Sequence, residues 1–178
     1  YFKYYEHRDM LGAFEAIDRV EARFAECFSR AYTGPVEAVN CDDAEAVLVT
    51  LGSIAGLARE SVARLREQGK RVGLLRVRYM RPFPAKLIAE ALAGAAAVGV
   101  LEKDISFGAE GTVFTNVNSA LQQAGCTTPT FNFIGGLGGD DITSAQMDAM
   151  FDALLDSVGE RGRDDAAAGR SCDDASTG

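Results

Sequence analysis

Short apolar segments alternate with longer amphipathic segments along this chain from residue 46 onwards. The first apolar run, Ala46–Leu51, is nearly continuous, and an amphipathic stretch over 54–68 follows it. Further strand-like runs lie over 71–80, 96–101 and 130–134. A continuous apolar run is typical of a strand buried on both faces, and strands that alternate with helices form a mostly parallel sheet with right-handed crossovers. The alternation therefore predicts an α/β fold with helices on both faces of the sheet.

The remaining elements follow from helical periodicity and from turn residues. Val36–Val39 alternates apolar and polar residues, which indicates a half-exposed edge strand. Thr143 and Gln146 have the spacing of a capping box at the start of a final helix that ends near Val158. The other predicted helices cover residues 8–32, 84–92 and 108–123.

Length and composition set the domain boundaries. A chain of 178 residues with 47% hydrophobic content can bury one substantial core. We expect a helical lead-in over 1–34, an α/β domain over 35–158 and a disordered acidic tail over 159–178. The tail contains mostly Asp, Ala, Gly and Ser, which cannot offset the entropy lost on ordering. The start at Tyr1 suggests a fragment of a longer polypeptide, although a processed chain would look the same.

The charge balance excludes several kinds of partner. The chain has 18 basic and 26 acidic residues, a net charge of −8, which is the wrong sign for a nucleic-acid binder. No apolar run reaches the roughly 20 residues needed to cross a bilayer, and we predict neither a signal peptide nor a membrane partner. The four scattered cysteines, which we expect to be reduced thiols in a cytoplasmic protein, are Cys27, Cys41, Cys126 and Cys172.

Three segments follow predicted strands, where open parallel sheets place their binding crevices. In the first, Gly52 permits a sharp turn and Ser53 can cap a helix that begins at Ile54, with amide protons left for an anion. In the second, Pro82 and Pro84 restrict the residues before them and so hold Arg81 and Phe83 in fixed directions. Arg81 could bind a carboxylate, a phosphate or an acidic partner, or could pair with a local carboxylate.

The third segment, Gly135–Ile142, contains four glycines in five positions. Such a loop can bind anions through its amides or let another chain approach closely. Asp140 and Asp141 add negative charge, so a tight crossover packed on a neighbouring domain is the preferred interpretation.

Acid–base chemistry has few candidates. His7 is the only histidine and lies in a polar, aromatic start with no partner nucleophile in sequence. The run Glu102–Asp104 follows a strand, and we interpret it as a solvated loop or a domain contact. No nucleophile–base pair or metal-ligand spacing is evident, so we predict no catalytic, cofactor-binding or metal-binding residue and a site completed elsewhere.

The three segments, in this order, resemble the 2-oxoacid:ferredoxin oxidoreductases, the pyruvate synthase family. The resemblance runs from about Tyr5 to Leu155, over the domain that follows the pyrimidine-side thiamine domain at the C-terminal end of the alpha subunit. Two departures concern Asp140 and Lys103, since a basic residue is expected near the first and an arginine near the second. The matching segments are Val47–Ser53, Arg81–Pro84, Val98–Gly111 and Gly136–Gly139.

The resemblance implies a transketolase C-terminal-like domain, a three-layer α/β/α sandwich. Its mostly parallel five-stranded sheet would have one antiparallel strand, for which Val36–Val39 is suited. The family oxidatively decarboxylates a 2-oxoacid to an acyl-CoA, and the resemblance implies pyruvate as the substrate here. Thiamine diphosphate, Mg, iron–sulfur clusters and CoA are implied for the complete enzyme and none for this chain, which lacks the GDG-type site and the cluster cysteines.

The resemblance therefore implies a non-catalytic assembly domain that is inactive alone. Its partners would be other domains or subunits, with ferredoxin reached through the complex. The candidates for interface or support are Gly52, Ser53, Arg81, Pro82, Phe83, Pro84, Gly136, Gly138 and Gly139. Two alternatives stay open: an independent α/β module that binds a small anion at the strand C-terminal loops, and a purely structural interaction domain.

Overall fold

A five-stranded sheet forms the centre of the computed structural model, which describes residues 1–32 and 34–167, the side chains of 164–167 excepted. The strand order is β1-β3-β2-β4-β5, with β1 antiparallel to β3 and the other neighbours parallel. This confirms the predicted sheet with one antiparallel edge strand. The strands are β1 (Val36–Val39), β2 (Ala46–Leu51), β3 (Val72–Val77), β4 (Ala97–Glu102) and β5 (Thr130–Ile134).

Helices cover both faces of this sheet and complete the three layers. Helices α3 and α4 pack on one face, and α2 and α5 pack on the other. Strand β2 contributes to both cores because its side chains alternate: Val47 and Val49 face α3 and α4, whereas Leu48 faces α2 and α5. The helices are α1 (Phe2–Phe28), α2 (Ala55–Glu67), α3 (Ala85–Leu92), α4 (Thr112–Gln123) and α5 (Ser144–Ala167).

Central packing leaves no space for a side chain at position 99. A Cβ on Gly99 would lie 2.8 Å from Phe133, 2.9 Å from Leu154 and 3.0 Å from Leu48. Strands β2 and β5 and helix α5 therefore meet over a bare stretch of β4 backbone. Such close approach is a reason for glycine inside a strand.

Helix α1 packs only loosely against this sandwich. None of its residues is buried, and residues 1–12 are all exposed. Its contacts begin near Phe14, and further along Glu21 accepts hydrogen bonds from the Tyr79 hydroxyl at 2.5 Å and from the Gly34 amide at 3.1 Å. The helix begins at Phe2 and ends at Phe28, whereas the sequence predicted residues 8–32.

The last helix extends further than expected. It continues to Ala167, so residues 159–167 are helical although the sequence predicted a disordered tail from 159. Arg161 in this extension donates a hydrogen bond to the Ala96 carbonyl at 3.0 Å, which ties the helix to the start of β4. The rest of the predicted tail, residues 168–178 with Cys172, lies outside the described residues. Within the described part, no helix is long and apolar enough to span a bilayer.

Candidate functional site

A cleft of about 390 Å³ opens at the carboxyl edge of β2, β3 and β4. It brings together the predicted Gly52–Ser53 turn and the run Glu102–Asp104, which lie fifty residues apart in the sequence. The residues that line it are Leu51, Gly52, Ser53, Met80, Glu102, Lys103, Asp104, Thr112 and Val113. This is the location at which ligands bind in open α/β sheets, and we therefore take it as the candidate site.

The Gly52–Ser53 turn forms the first wall of the cleft. Gly52 has a φ of +82°, a conformation that glycine adopts without strain, as the sequence predicted. The prediction that Ser53 caps a helix is wrong. A 3₁₀ turn over Gly52–Ile54 precedes α2, and Ser53 lies inside this turn with no capping hydrogen bond from its side chain.

The Arg-Pro-Phe-Pro corner lies beside the cleft but does not line it. Pro82 and Pro84 are buried, and the peptide between Arg81 and Pro82 is cis. The exposed Arg81 guanidinium donates to the Met80 carbonyl at 2.6 Å and pairs with none of the carboxylates that the structure describes. Phe83 packs against the core cluster formed with α3 and α4, and it also lines a groove with Phe14 of α1.

Glu102 forms the floor of the cleft and is only 4% exposed. Its carboxylate accepts hydrogen bonds from the amides of Val113 at 2.7 Å and Phe114 at 3.1 Å, and from the Asn132 side chain at 3.0 Å. It thus caps α4 from a neighbouring strand, and the interpretation of Glu102 as part of a solvated loop is wrong. A Cβ on Gly111 would lie 1.9 Å from a carboxylate oxygen, so glycine at the N-cap admits this arrangement.

The protonation of Glu102 reflects this environment. Burial raises the pKa of the carboxyl above its ordinary value, and a hydrogen bond with Asp104 also raises it. The two amides of α4 and the Asn132 side chain act in the opposite direction without reversing the shift. Sequence reasoning missed this role, because glycine is itself a common N-cap residue and Gly111 gives no sign of a carboxylate from β4.

Lys103 connects the cleft with the glycine-rich loop. The lysine side chain crosses the loop so closely that a Cβ on Gly136 would lie 2.3 Å from Lys103 Cε. Gly136, Gly138 and Gly139 all have positive φ, at +70°, +66° and +88°. The loop therefore turns tightly, and Asp140 after it is exposed. Its packing on a neighbouring domain stays a prediction.

The donors at this edge do not fit a metal cofactor. Glu102 is bound by the chain's own amides, and Asp104 accepts a hydrogen bond from the Thr112 hydroxyl at 2.9 Å. Within the described ranges, no group of three His, Cys, Asp or Glu residues is placed to hold a metal ion. His7, on the exposed start of α1, contributes nothing to the cleft. Magnesium and iron–sulfur chemistry are therefore not assigned to the described residues.

Comparison with solved structures defines the class of fold. The chain superposes on a split-gene transketolase described as an inactive beta4 tetramer, with a TM-score of 0.54 and 17% identity over 71% of this chain and 43% of that one. It also matches a 2-oxoglutarate:ferredoxin oxidoreductase from Magnetococcus marinus, with a TM-score of 0.52 and 18% identity over 70% of this chain and 20% of that one. The protein therefore has a transketolase-like α/β/α fold.

Sequence comparison identifies the family within this class. Residues 44–147 match the family described as pyruvate:ferredoxin oxidoreductase core domain II, and the chain belongs to that family. Pyruvate synthase subunit PorA of Methanothermobacter thermautotrophicus is 42% identical over 134 residues, which are 75% of this chain and 34% of that subunit. Ketoisovalerate oxidoreductase subunit VorA of Pyrococcus abyssi is 38% identical over 152 residues, 83% of this chain and 38% of that subunit. The chain thus spans little more than a third of these relatives.

Proposed function

We propose that this chain is a non-catalytic assembly domain of a thiamine-dependent 2-oxoacid:ferredoxin oxidoreductase, with pyruvate as the expected substrate. The complete enzyme would oxidatively decarboxylate the 2-oxoacid and form an acyl-CoA. Membership of the core domain II family supports this proposal, as does the 42% identity to a pyruvate synthase subunit. We expect the enzyme to be cytoplasmic.

The observation that carries the non-catalytic role is how the carboxylates of the cleft are used. A general base needs a lone pair directed at substrate, yet Glu102 directs its oxygens at the amides of α4 and at Asn132. Asp104 is engaged by Thr112, and Ser53 has no histidine beside it in the cleft. These groups stabilise the domain, so the chemistry is expected in neighbouring polypeptide.

The cofactors of the reaction would accordingly be held by other parts of the enzyme. Thiamine diphosphate with its Mg supplies the carbanion chemistry of such enzymes, iron–sulfur clusters carry the electrons, and CoA accepts the acyl group. Ferredoxin would meet the assembled complex. The contribution of this chain would be to position the neighbouring domains.

The residues proposed for this positioning are of two kinds. Pro82, Phe83 and Pro84 act within the chain, because Phe83 and Pro84 form a groove with Phe14 of α1. The others lie at exposed or half-buried positions of the carboxyl edge and are available to a neighbour: Gly52, Ser53, Arg81, Gly136, Gly138 and Gly139.

Turnover measurements with and without this chain test the proposal. The complete enzyme should consume pyruvate and reduce ferredoxin, and the enzyme assembled without this chain should not. The 178-residue chain alone should consume neither pyruvate nor 2-ketoisovalerate. Turnover by the chain alone would contradict the proposal.

Calorimetry separates this proposal from an independent anion-binding module. The carboxylates of Glu102 and Asp104 in the cleft disfavour an anion there, despite the nearby Lys103. We therefore expect no heat of binding when thiamine diphosphate, a mononucleotide or inorganic phosphate is titrated into the chain. Saturable binding of any of them would favour the alternative.

A further inference from the structure

The carboxyl edge presents large apolar side chains, of which Leu51 also lines the cleft. Phe107, in the loop between β4 and α4, is 97% exposed, Leu137 after β5 is 45% exposed, and Leu51 at the end of β2 is 36% exposed. Strands β2, β4 and β5 are parallel neighbours, so these residues lie at one end of the sheet. We call Leu51, Phe107 and Leu137 the edge patch. Exposed apolar residues at one end of a domain, with polar residues around them, are a feature of interaction surfaces.

Phe107 lies on a closed turn. The Ser106 amide donates to the Glu110 carbonyl at 3.1 Å, and the Ala109 amide donates to the Ser106 carbonyl at 2.7 Å. Gly108 has a φ of +84°, as the third residue of a type II turn requires. The turn is thus hydrogen-bonded before any partner binds. Such preorganisation lowers the entropy that binding through Phe107 would cost.

The charges around the patch select the kind of partner. Glu110, Asp140 and Asp141 are exposed, and none of them pairs with a basic side chain in the described part of the chain. Lys103, Arg78 and Arg81 follow strands at the same edge, and Arg78 pairs with Glu21 of α1. Two copies of this chain that met through the patch would bring like charges together across a two-fold axis, and the chain as a whole has a net charge of −8. A partner with basic side chains around an apolar pocket is complementary.

The lengths of the related subunits indicate which polypeptide such a partner belongs to. This chain spans 34% of the pyruvate synthase subunit and 38% of the ketoisovalerate oxidoreductase subunit that it matches. Most of the polypeptide in those subunits therefore lies outside the region shared with this chain. A domain of this family thus exists beside other polypeptide of the same enzyme.

We infer that Phe107 anchors the edge patch in an apolar, basic-rimmed pocket of another folded polypeptide of the same oxidoreductase. The inference rests on the proposed function and adds to it the residue through which the assembly contact is made. A fully exposed aromatic side chain that becomes buried at the centre of an interface is a typical hot spot, worth at least about a 30-fold change in dissociation constant.

The test is the dissociation constant between this chain and the remaining polypeptides of the enzyme, followed by fluorescence anisotropy of the labelled chain. Phe107→Ser should weaken the association by at least about 30-fold, the value for a hot-spot residue. Phe107→Leu keeps a large apolar side chain and should weaken the association less than Phe107→Ser does. The matched control is Phe2→Ser, since Phe2 is 91% exposed at the start of α1, away from the edge patch.

Three kinds of result would contradict the inference about Phe107. If wild type binds and Phe107→Ser binds equally well, or if Phe2→Ser weakens binding as much, the inference is wrong and the proposed function is unaffected. If wild type binds none of the remaining polypeptides, both are wrong. If the chain instead self-associates in a way that Phe107→Ser abolishes, the partner is a second copy and the heterologous contact is overturned.

Discussion

Glu102 joins strand β4 to helix α4 because its buried carboxylate accepts the amide protons of Val113 and Phe114. Replacement by glutamine keeps the shape but presents an NH₂ group where one amide donor needs an acceptor. We expect Glu102→Gln to lower the free energy of unfolding by about 1–3 kcal/mol, the cost of a buried polar group left without its partner. Urea unfolding measures this loss.

The control for Glu102→Gln is Glu110→Gln in the same loop. Glu110 is exposed, and only its backbone is used in a hydrogen bond, to Ser106. Its replacement should change the free energy of unfolding by no more than about 0.5 kcal/mol. Equal losses in the two variants would contradict the capping role of Glu102.

The raised pKa of Glu102 predicts a pH dependence as well. Burial makes the folded state hold the Glu102 proton at a higher pH than the unfolded state does. The stability from this proton is fully present below the ordinary carboxyl pKa and is lost as the pH rises through the raised folded pKa. The stability difference between wild type and Glu102→Gln should therefore shrink with increasing pH across this window. A difference that grows with pH, measured in urea at several pH values, would contradict the assignment.

At the scale of the secondary-structure element, residues at the start of α5 cap that helix. The predicted capping box at α5 is confirmed: the Thr143 hydroxyl accepts from the Gln146 amide at 3.2 Å, and the Gln146 side chain accepts from the Thr143 amide at 2.8 Å. Thr143→Ala should lower the free energy of unfolding by about 1 kcal/mol, the usual value of a cap. Ser144→Ala, one residue later, is the matched control in urea unfolding. A loss at Ser144 as large as that at Thr143 would show that the cap contributes nothing.

Local sequence patterns predicted strands β2 and β5 and this helix start, whereas the start of α4 involves a side chain from β4. Strands β2 and β5 were predicted at their observed bounds because their apolar runs are short and bounded by turn residues. Helix α4 begins at Thr112 rather than 108, and the Glu102 carboxylate at the end of β4 caps it there. Such a partner is invisible to sequence periodicity.

The candidate site was predictable in position more than in detail. The ends of parallel strands gather at one edge, so the sequence could place Gly52–Ser53 and Glu102–Asp104 near one another. The groove at Phe83 could not be predicted, because its other wall includes Phe14 of α1, more than sixty residues earlier in the sequence.

At the scale of the whole molecule, we expect the exposed start of α1 to contribute little to the free energy of unfolding of the sandwich. Residues 1–12 are exposed, and the side-chain contacts there, Lys3 with Glu6 and Arg8 with Asp9, are local. Removal of residues 1–11 should therefore change the free energy of unfolding by no more than about 0.5 kcal/mol, as for surface changes in general. Chemical denaturation of the shortened chain measures this value.

Glu21→Ala is the contrasting change for that truncation. Glu21 accepts hydrogen bonds from the Tyr79 hydroxyl and the Gly34 amide, so its loss should lower stability by about 1–3 kcal/mol. Loss of cooperative unfolding on removal of residues 1–11 would show that the start of α1 belongs to the folded core.

The close packing against the Gly99 backbone restricts which substitutions this family can accept at that position. Phe133, Leu154 and Leu48 all occupy the space that an alanine methyl would need. Since overpacking of a close-packed interior costs roughly 1–3 kcal/mol, alanine becomes tolerable when one of these three side chains shrinks. Among homologues we therefore expect covariation, in which a larger residue at this position accompanies a smaller one on β2, β5 or α5.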